Sequence, residues 1–265
     1  MRVAISDCHF GDPDLRRYVT DATGGPASGA MLLGLFSVMV EENGWRVDGV
    51  GDIFNYCGRL SEALVEYGTT IERFQKAGMT LWPGNHDRRN AGAIPLQTLR
   101  KQFNLVYVHD ADPPYCVGVS HWHQHDPVWS KPGWLRKGFG EAVIKNGLLL
   151  ETHVHPLIDE TIIKAVKAPL NWFMKRGNRI EDEYWISKVV EEAKRTEVEV
   201  ALGGHTHRMG WWVKNGIEVV NLGSAIPRTI AGGIETIVMG VWNYEERQLY
   251  QMTLDGLMPA AKVHL

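Results

Sequence analysis

The chain has 265 residues, and its contents of 44% hydrophobic and 22% charged residues are ordinary for a globular protein. This length is enough for one large domain or for one domain with an insertion. The formal net charge of -3 argues against a general nucleic-acid binder. Three cysteines that lie far apart in the chain, Cys8, Cys57 and Cys116, argue against a disulfide framework and indicate a reducing compartment.

The sequence predicts neither a secretory leader nor a membrane span. The first residues, MRVAISDCHF, lack a charged region that is followed by a long apolar run. No apolar stretch approaches the roughly 20 residues that a membrane-spanning helix needs. The longest one, around residues 30–40, predicts a buried helix. We therefore expect a cytoplasmic protein.

In chain order, the apolar segments predict strands that alternate with helices. The first half predicts strands over residues 2–5, 45–50, 79–82, 105–108 and 115–120, and helices over residues 30–42, 60–77 and 96–103. Residues 131–195 have helical spacing without a clear strand. Strands resume over residues 197–202, 211–213, 217–221, 236–242 and 248–252. We therefore predict a core formed by residues 1–130 and 196–265, with a helical cap insertion over residues 131–195.

Polar Asp, Asn and His residues repeatedly follow the predicted strands. Because ligands of an α/β sheet bind beyond the carboxyl ends of its strands, five such segments would converge on one crevice. These segments are Asp7-Cys8-His9, Gly51-Asp52, Gly84-Asn85-His86-Asp87, His121 and Gly203-Gly204-His205-Thr206-His207.

Three of these segments differ in how specifically they indicate a metal. Asp7 and His9 can turn toward one ion, and a carboxylate beside an imidazole suits Zn, Mn or Fe better than Ca or Mg. An Asx turn with a surface histidine explains them equally well. Asp52 after a glycine is commonly a turn residue, although its two oxygens could bridge two metals. His205 and His207, two residues apart after a Gly-Gly turn, are a stronger indication of same-side ligands.

The remaining two segments supply further candidates. Asn85 can ligate a metal without adding charge, and His86 can face a substrate while Asp87 fixes its tautomer. A plain turn does not explain this combination. Of the alternating histidines that begin at His121, we expect only that first one to be a ligand, because it lies at the strand end. His123 is then expected at the rim, where it would contact substrate.

Taken together, these motifs resemble the calcineurin-like metallophosphoesterase family, in order and over residues 1 to about 225. The resemblance implies an α/β fold, a metallophosphoesterase-type β-sandwich flanked by helices. It also implies two divalent metal ions, for which we expect Mn²⁺, with Zn²⁺, Fe or Ni²⁺ as alternatives. The implied ligands are Asp7, His9 and His207 at one metal, Asp52 as the bridge, and Asn85, His121 and His205 at the other.

The resemblance further implies hydrolysis of a phosphoester, with a phosphodiester or pyrophosphate bond favoured, by a hydroxide that bridges the metals. His86, held by Asp87, would be the catalytic histidine that protonates the leaving oxygen. One alternative is a nuclease with the same metal site, which the near-neutral charge disfavours. Another is a non-catalytic scaffold, which the presence of His86 and of every expected ligand disfavours.

The sequence gives fewer indications of the substrate. Many family members carry an acidic residue where this chain has Asn55, which we regard as a substrate contact together with Arg88 and Arg89. Residues 169–176 interleave aromatic and basic side chains, as would suit an amphipathic substrate that bears phosphate. A helical insertion at this place is similar to the branch that includes UDP-diacylglucosamine hydrolase. We expect a small-molecule phosphoester as the partner, without a stable nucleic-acid partner.

Overall fold

A computed structural model describes the chain over residues 1–21, 23–55, 60–82, 84, 87, 117–120, 122, 180–229 and 235–265. The chain divides into two compact units. One is formed by residues 1–122 and 190–265, and the other by residues 123–189. In the second unit, the described residues begin at Ile180 and are helical.

The described chain contains strands in both halves and helices between them. The strands are β1 (Arg2–Ile5), β2 (Val19–Thr20), β3 (Pro26–Ala27), β4 (Arg46–Val50), β5 (Thr80–Trp82), β6 (Val117–Val119), β7 (Val200–Gly203), β8 (Gly210–Lys214), β9 (Ile217–Asn221), β10 (Gly223–Thr229), β11 (Glu235–Asn243), β12 (Gln248–Thr253), β13 (Gly256–Pro259) and β14 (Val263–His264). The helices are α1 (Gly29–Asn43), α2 (Leu60–Lys76) and α3 (Ile180–Arg195), with a short 3-10 helix at Pro13–Arg16.

The strands form two sheets. The larger sheet has the order β13-β12-β11-β1-β4-β5, with β10 and the β2–β3 pair attached to β11. Within it β1, β4 and β5 are parallel, whereas β11 is antiparallel to β1. The smaller sheet has the order β14-β8-β9-β7-β6. Because parallel strands end at the same edge, the loops that follow β1, β4 and β5 emerge together.

Alternate side chains of β1 enter two different hydrophobic cores. Val3 and Ile5 are fully buried in the cluster that also contains Phe36 of α1. Ala4, on the opposite face, belongs to a second cluster that contains Leu202 of the smaller sheet. This alternation follows from the two-residue period of a strand. The larger sheet is therefore covered by helices on one face and by the smaller sheet on the other.

Helix α1 has a clear signal at each end. Ser28 caps its N-terminus by accepting a hydrogen bond from the amide of Met31 at 3.3 Å. Gly44 ends the helix in the left-handed conformation, with φ of 61°.

Among the described residues, no helix combines the length and the apolar character that a transmembrane span requires.

The predicted α/β class, with sheets packed as a sandwich and flanked by helices, is confirmed. The strand predicted to begin at residue 197 begins at Val200, because Glu197 has a positive φ of 56° at the end of α3. Strand β10 was not predicted, since Gly223 and Pro227 interrupt its pattern. The helix expected over residues 96–103, the strand over residues 105–108 and the cap up to residue 179 lie outside the described residues, and the domain boundaries stay a prediction.

Candidate metal site

The loops that follow β1 and β4 continue side by side beyond the sheet. The amide of Asp7 donates to the carbonyl of Gly51 at 3.0 Å, and the amide of His9 donates to the carbonyl of Asp52 at 3.0 Å. Asp7, His9 and Asp52 each have a φ of 49°, a left-handed conformation that is uncommon for residues other than glycine. These backbone bonds hold three buried polar side chains at one edge of the sheet.

Three of the predicted ligands converge there. Nε2 of His9 and Nε2 of His207 are 3.1 Å apart. Oδ1 of Asp7 lies 3.2 Å from Nε2 of His207 and 3.6 Å from Nε2 of His9. Two of these residues come from the start of the chain, whereas His207 follows β7. The three donor atoms form a group that could hold a metal ion.

The two imidazoles have opposite pKa shifts. Burial would lower the pKa of His9, but the carboxylates of Asp7, Asp52 and Asp12 outweigh it, so the pKa lies above the ordinary value. Burial lowers the pKa of His207 below its ordinary value, and Asp7 and Asp52 only partly oppose this. The carboxylate of Asp52 therefore acts electrostatically on both imidazoles. A neutral imidazole is the form that ligates metals.

The segment after β7 packs directly against Asp7. The amide of His205 donates to Oδ2 of Asp7 at 3.0 Å. A Cβ atom on Gly204 would lie 1.9 Å from Oγ of Ser6, so only glycine fits at this position. His205 and His207 both have positive φ, of 80° and 55°. The backbone thus turns sharply enough to place His207 over the end of β1.

A buried asparagine fixes this turn. The side-chain amide of Asn221 donates to the carbonyl of Gly204 and to Oγ1 of Thr206, both at 2.9 Å. Its side-chain oxygen accepts the amide of Gly223 at 2.9 Å. Asn221 is fully buried at the end of β9. It joins the histidine-bearing loop to the neighbouring strand.

The segment after β5 is held by Asp87. Oδ1 of Asp87 accepts the amide of Phe54 at 3.1 Å, and Oδ2 accepts the amide of Gly84 at 2.9 Å. A Cβ atom on Gly84 would lie 2.0 Å from Oδ1 of Asp52. Asp87 therefore ties Gly84 to the loop that carries Asp52. Its expected contact with His86 lies outside the described residues.

Asn55, which we expected to contact substrate, donates from Nδ2 to the carboxylate of Asp12 at 2.9 Å. Its amide donates to the carbonyl of Phe10 at 3.0 Å. The other predicted site residues, Asn85, His86, Arg88, Arg89, His121 and His123, lie outside the described residues. The neighbour of one of them is described: Nε1 of Trp122 donates to the carbonyl of Leu202 at 3.0 Å, which places residue 122 beside β7.

Solved structures that are similar to this chain include phosphoesterases. A dimetal phosphatase from Danio rerio has 13% identity and a TM-score of 0.46, over 97% of this chain and 95% of that one. An archaeal phosphodiesterase has 13% identity and a TM-score of 0.40, over 96% and 99%. A nuclease from Pseudomonas putida has 15% identity and a TM-score of 0.38, over 98% and 87%.

No protein-family model matches the sequence, and no curated protein matches it.

Sequence reasoning missed several residues that shape the site. The hydroxyl of Ser6 donates to Oδ2 of Asp7, and its Oγ lies 2.6 Å from the carbonyl oxygen of Val50. Oγ of Ser224 donates to the carbonyl of Asp7 at 3.0 Å. One sequence feature could have identified them. Asn221 ends a predicted strand, and Gly223 and Ser224 follow directly, as polar residues do after the other strands.

Cys8, between the first two candidate ligands, is buried in the hydrophobic core, and this burial raises the pKa of its thiol well above the ordinary value. Its role is packing in this core.

Proposed function

We propose that this chain hydrolyses phosphoesters with two divalent metal ions, and that its substrate bond is a phosphodiester or a pyrophosphate. The observation that carries the proposal is the convergence of one carboxylate and two imidazoles, from Asp7, His9 and His207, at the carboxyl edge of the larger sheet. Carboxylate oxygen and imidazole nitrogen suit Mn²⁺, Zn²⁺, Fe and Ni²⁺.

The spacing of these atoms supports a shared ion. Ligand atoms about 2.0–2.1 Å from one tetrahedral ion lie about 3.4 Å from one another. The separations among Nε2 of His9, Nε2 of His207 and Oδ1 of Asp7 are 3.1, 3.2 and 3.6 Å. The donor atoms therefore have the mutual distances of ligands to a single cation.

A second ion would lie beyond Asp52. The carboxylate of Asp52 lies close enough to raise the pKa of both imidazoles, and we propose that it bridges the two ions. His205 is tied through its amide to Oδ2 of Asp7 at 3.0 Å. We propose that Asn85 and His121 complete this second set together with Asp52 and His205.

Two bound ions would neutralise charge on the phosphoryl oxygens and lower the pKa of an attacking water. The protein's own side chains would position the reacting groups and supply a proton to the leaving oxygen. Asp87 accepts the amide of Gly84, the described residue before positions 85 and 86, and is itself tied to the amide of Phe54. We propose that His86 donates the proton to the leaving oxygen.

We further propose a small substrate over a nucleic acid, because the net charge of -3 offers no general attraction to a polyanion. The interleaved aromatic and basic side chains of residues 169–176 support an amphipathic phosphoester. The cytoplasmic location remains our proposal from the sparse cysteines.

The direct test is metal-dependent hydrolysis. After removal of metal with EDTA, Mn²⁺ should restore cleavage of bis-p-nitrophenyl phosphate, and elemental analysis should find about two ions per chain. His207→Ala should lose both metal and activity. His264→Ala, which changes an exposed histidine on β14, is the matched control and should retain both. Absence of turnover with every divalent metal would refute the enzymatic proposal.

The role of His86 has a separate test. His86→Ala should lower kcat by about 10²–10⁴-fold and leave the metal content unchanged, because a proton donor is lost and no ligand is. Loss of metal in this variant would show that His86 is a ligand.

A panel of substrates separates the remaining alternatives. Nucleotides, cyclic nucleotides, pyrophosphate-linked lipids and single-stranded DNA should be compared at equal concentration. Preferential cleavage of DNA would favour the nuclease, contrary to our expectation.

A further inference from the structure

A hydrogen bond between the side chains of Asp12 and Asn55 joins the loop that carries His9 to the loop that carries Asp52. Nδ2 of Asn55 donates to Oδ2 of Asp12 at 2.9 Å. An ionised carboxylate only accepts hydrogen bonds, so this contact defines which end of the Asn55 amide faces it. Asp12 is three residues after His9, and Asn55 is three residues after Asp52. The bond therefore lies at the same sequence distance beyond a proposed metal ligand on each loop.

Backbone hydrogen bonds pair the two loops up to this point. The amide of Phe10 donates to the carbonyl of Ile53 at 2.9 Å, and its carbonyl accepts the amide of Asn55 at 3.0 Å. The first loop then turns, because the amide of Asp12 donates to the carbonyl of His9 at 2.9 Å. The side-chain bond between Asp12 and Asn55 thus follows directly after the backbone pairing.

The carboxylate of Asp12 is held at both oxygens. Oδ1 of Asp12 accepts the amide of Asp14 at 2.8 Å, as the N-cap of the short 3-10 helix. This helix is anchored by Leu15, which is fully buried in the larger sheet's helix-covered core. Asn55 is itself buried, with 8% of its surface exposed. The bond to Asn55 is therefore a charge-assisted attachment to a fixed carboxylate and not a contact between mobile surface groups.

The backbone of both loops requires such restraint. His9 and Asp52 each have a φ of 49°, in the left-handed region. A residue other than glycine stays in this conformation only where the surrounding structure holds it there. The Asp12–Asn55 pair restrains the outer end of each loop. Its loss would let His9 and Asp52 relax, and their side chains would then separate.

We propose that Asp12 and Asn55 are positioning residues, which hold His9 and Asp52 at the separation that two neighbouring cations require. The inference rests on the proposed function and assigns part of its metal affinity to two residues outside the ligand set. Their contribution is the hydrogen bond between them, and not the attraction of a negative charge for cations.

Exchange of the two side chains separates these contributions. Asn55→Asp places two carboxylates opposite each other without a donor. Addition of Asp12→Asn restores the wild-type net charge and a donor, since the oxygen of the new amide can still accept the backbone amide of Asp14 while its nitrogen donates to position 55.

Calorimetric titration with Mn²⁺ measures the effect without turnover. Asn55→Asp should weaken Mn²⁺ binding by about tenfold or more, because a hydrogen bond to a charged group is lost. Asp12→Asn/Asn55→Asp should recover an affinity within about threefold of wild type. If charge alone mattered, the second substitution would remove a negative charge near the cations and weaken binding further. The two explanations therefore predict changes of opposite sign.

Asp14→Asn in the Asn55→Asp background is the matched control. It removes a negative charge from the same loop, at a side chain that is 54% exposed, and it keeps the backbone amide that caps to Asp12. It should not restore Mn²⁺ affinity. If Asn55→Asp does not fold, Asn55→Ala in wild type and in Asp12→Ala replaces it. Asn55→Ala should then weaken Mn²⁺ binding only where Asp12 is present.

Electron paramagnetic resonance of the Mn²⁺-saturated proteins distinguishes positioning from general stability. Two Mn²⁺ ions that share a bridging ligand are magnetically coupled, and the coupling depends on their separation. Asn55→Asp should change the coupled spectrum, and the exchanged variant should recover it. A variant that is only less stable, but folded and saturated with Mn²⁺, would keep the wild-type spectrum, and that result would overturn the proposal.

Two further results would overturn it. One is an exchanged variant that binds Mn²⁺ no more tightly than Asn55→Asp. The other is unchanged Mn²⁺ affinity in Asn55→Asp with a raised KM for bis-p-nitrophenyl phosphate, since Asn55 would then contact substrate. Recovery of affinity and spectrum in a protein that never hydrolyses phosphoesters would support Asp12 and Asn55 as positioning residues while it refuted the proposed function. A wild-type protein that binds no divalent metal would overturn both.

Discussion

A Cβ atom on Gly204 would lie 2.0 Å from Oδ2 of Asp7, although 197 positions separate the two residues in the sequence. The turn after β7 therefore approaches the end of β1 as closely as its backbone allows. This contact brings His207 to Asp7 and His9, and any side chain at position 204 would push the two halves of the site apart.

The first prediction concerns this contact. Gly204→Ala should reduce Mn²⁺ affinity at least tenfold, because the new methyl group overlaps both Ser6 and Asp7. Overpacking of this kind should also lower the free energy of unfolding by about 1–3 kcal/mol. Calorimetric titration with Mn²⁺ and thermal denaturation in EDTA measure the two effects.

Gly34→Ala is the matched control for that experiment. Gly34 lies within α1, and a Cβ atom there would meet nothing within 4 Å. Alanine should stabilise this helix by about 0.5–1 kcal/mol and leave Mn²⁺ affinity unchanged. Equal Mn²⁺ affinity in the two variants would contradict the proposed packing at Gly204.

The second prediction concerns Asn221, which ties the turn through Gly204 and Thr206. Asn221→Ala leaves the buried carbonyl of Gly204 without its side-chain amide donor and should lower the free energy of unfolding by about 1–3 kcal/mol. It should also weaken Mn²⁺ binding, because the turn that carries His207 loses its restraint. Denaturant titration and calorimetry would measure both quantities.

A second buried asparagine serves as the control. Oδ1 of Asn243 accepts the amides of Glu245 and Glu246 at 3.1 and 3.2 Å in the turn after β11. Asn243→Ala should destabilise the protein by a similar amount while Mn²⁺ affinity stays that of the wild type. Equal loss of affinity in both variants would mean that stability alone controls metal binding.

The third prediction links metal binding to stability. An ion that binds only the folded state at 100 times its Kd should stabilise the protein by about 2.7 kcal/mol, and EDTA should reverse the gain. Asp7→Asn removes a central carboxylate of the group and should abolish this rise in Tm. Asp255→Asn, an exposed change in the turn after β12, should retain it. A rise in Tm that persists in Asp7→Asn would place the bound ion elsewhere.

The fourth prediction concerns the pH dependence of stability through Asp21. Burial would raise the pKa of Asp21, but hydrogen bonds from Thr23, Leu254 and Gly25 outweigh it and hold the pKa below its ordinary value. A depressed pKa in the folded state stabilises the protein above the unfolded pKa of about 3.9 and ceases to do so as pH falls through the folded value.

Asp21→Asn should therefore lower Tm most near neutral pH, and the difference from wild type should shrink below about pH 4. Thermal denaturation of both proteins across this range measures the effect. A Tm difference that is the same at every pH would show that Asp21 contributes through shape alone and not through its charge.

Sequence reasoning located Asp7, His9 and His207 because each is a polar residue directly after an apolar strand. In an α/β sheet that position predicts a ligand-binding edge without knowledge of any contact. It could not reveal that Asn55 donates to Asp12, or that both oxygens of Asp87 accept backbone amides. Those partners depend on how loops from different strands pack, which no local pattern encodes.

Strand β10 is a second case in which the local sequence pattern does not predict the structure. Gly223 and Pro227 obscured its alternation, so neither the strand nor the place of Arg228 was predicted. The contact between Arg228 and His207 depends on a register shift against β11. Register is set by pairing with a strand that follows later in the chain, and so it is a property of the assembled sheet.

The separation of His9 and His207 along the chain also determines when a cation can be captured during biosynthesis. On the ribosome, Asp7 and His9 emerge before His207, which is synthesised about 200 residues later. β1 is flanked by β4 and by β11, which is synthesised later still. The group of Asp7, His9 and His207 can therefore form only after residue 207 has been synthesised, and nascent chains that stop before that residue lack it.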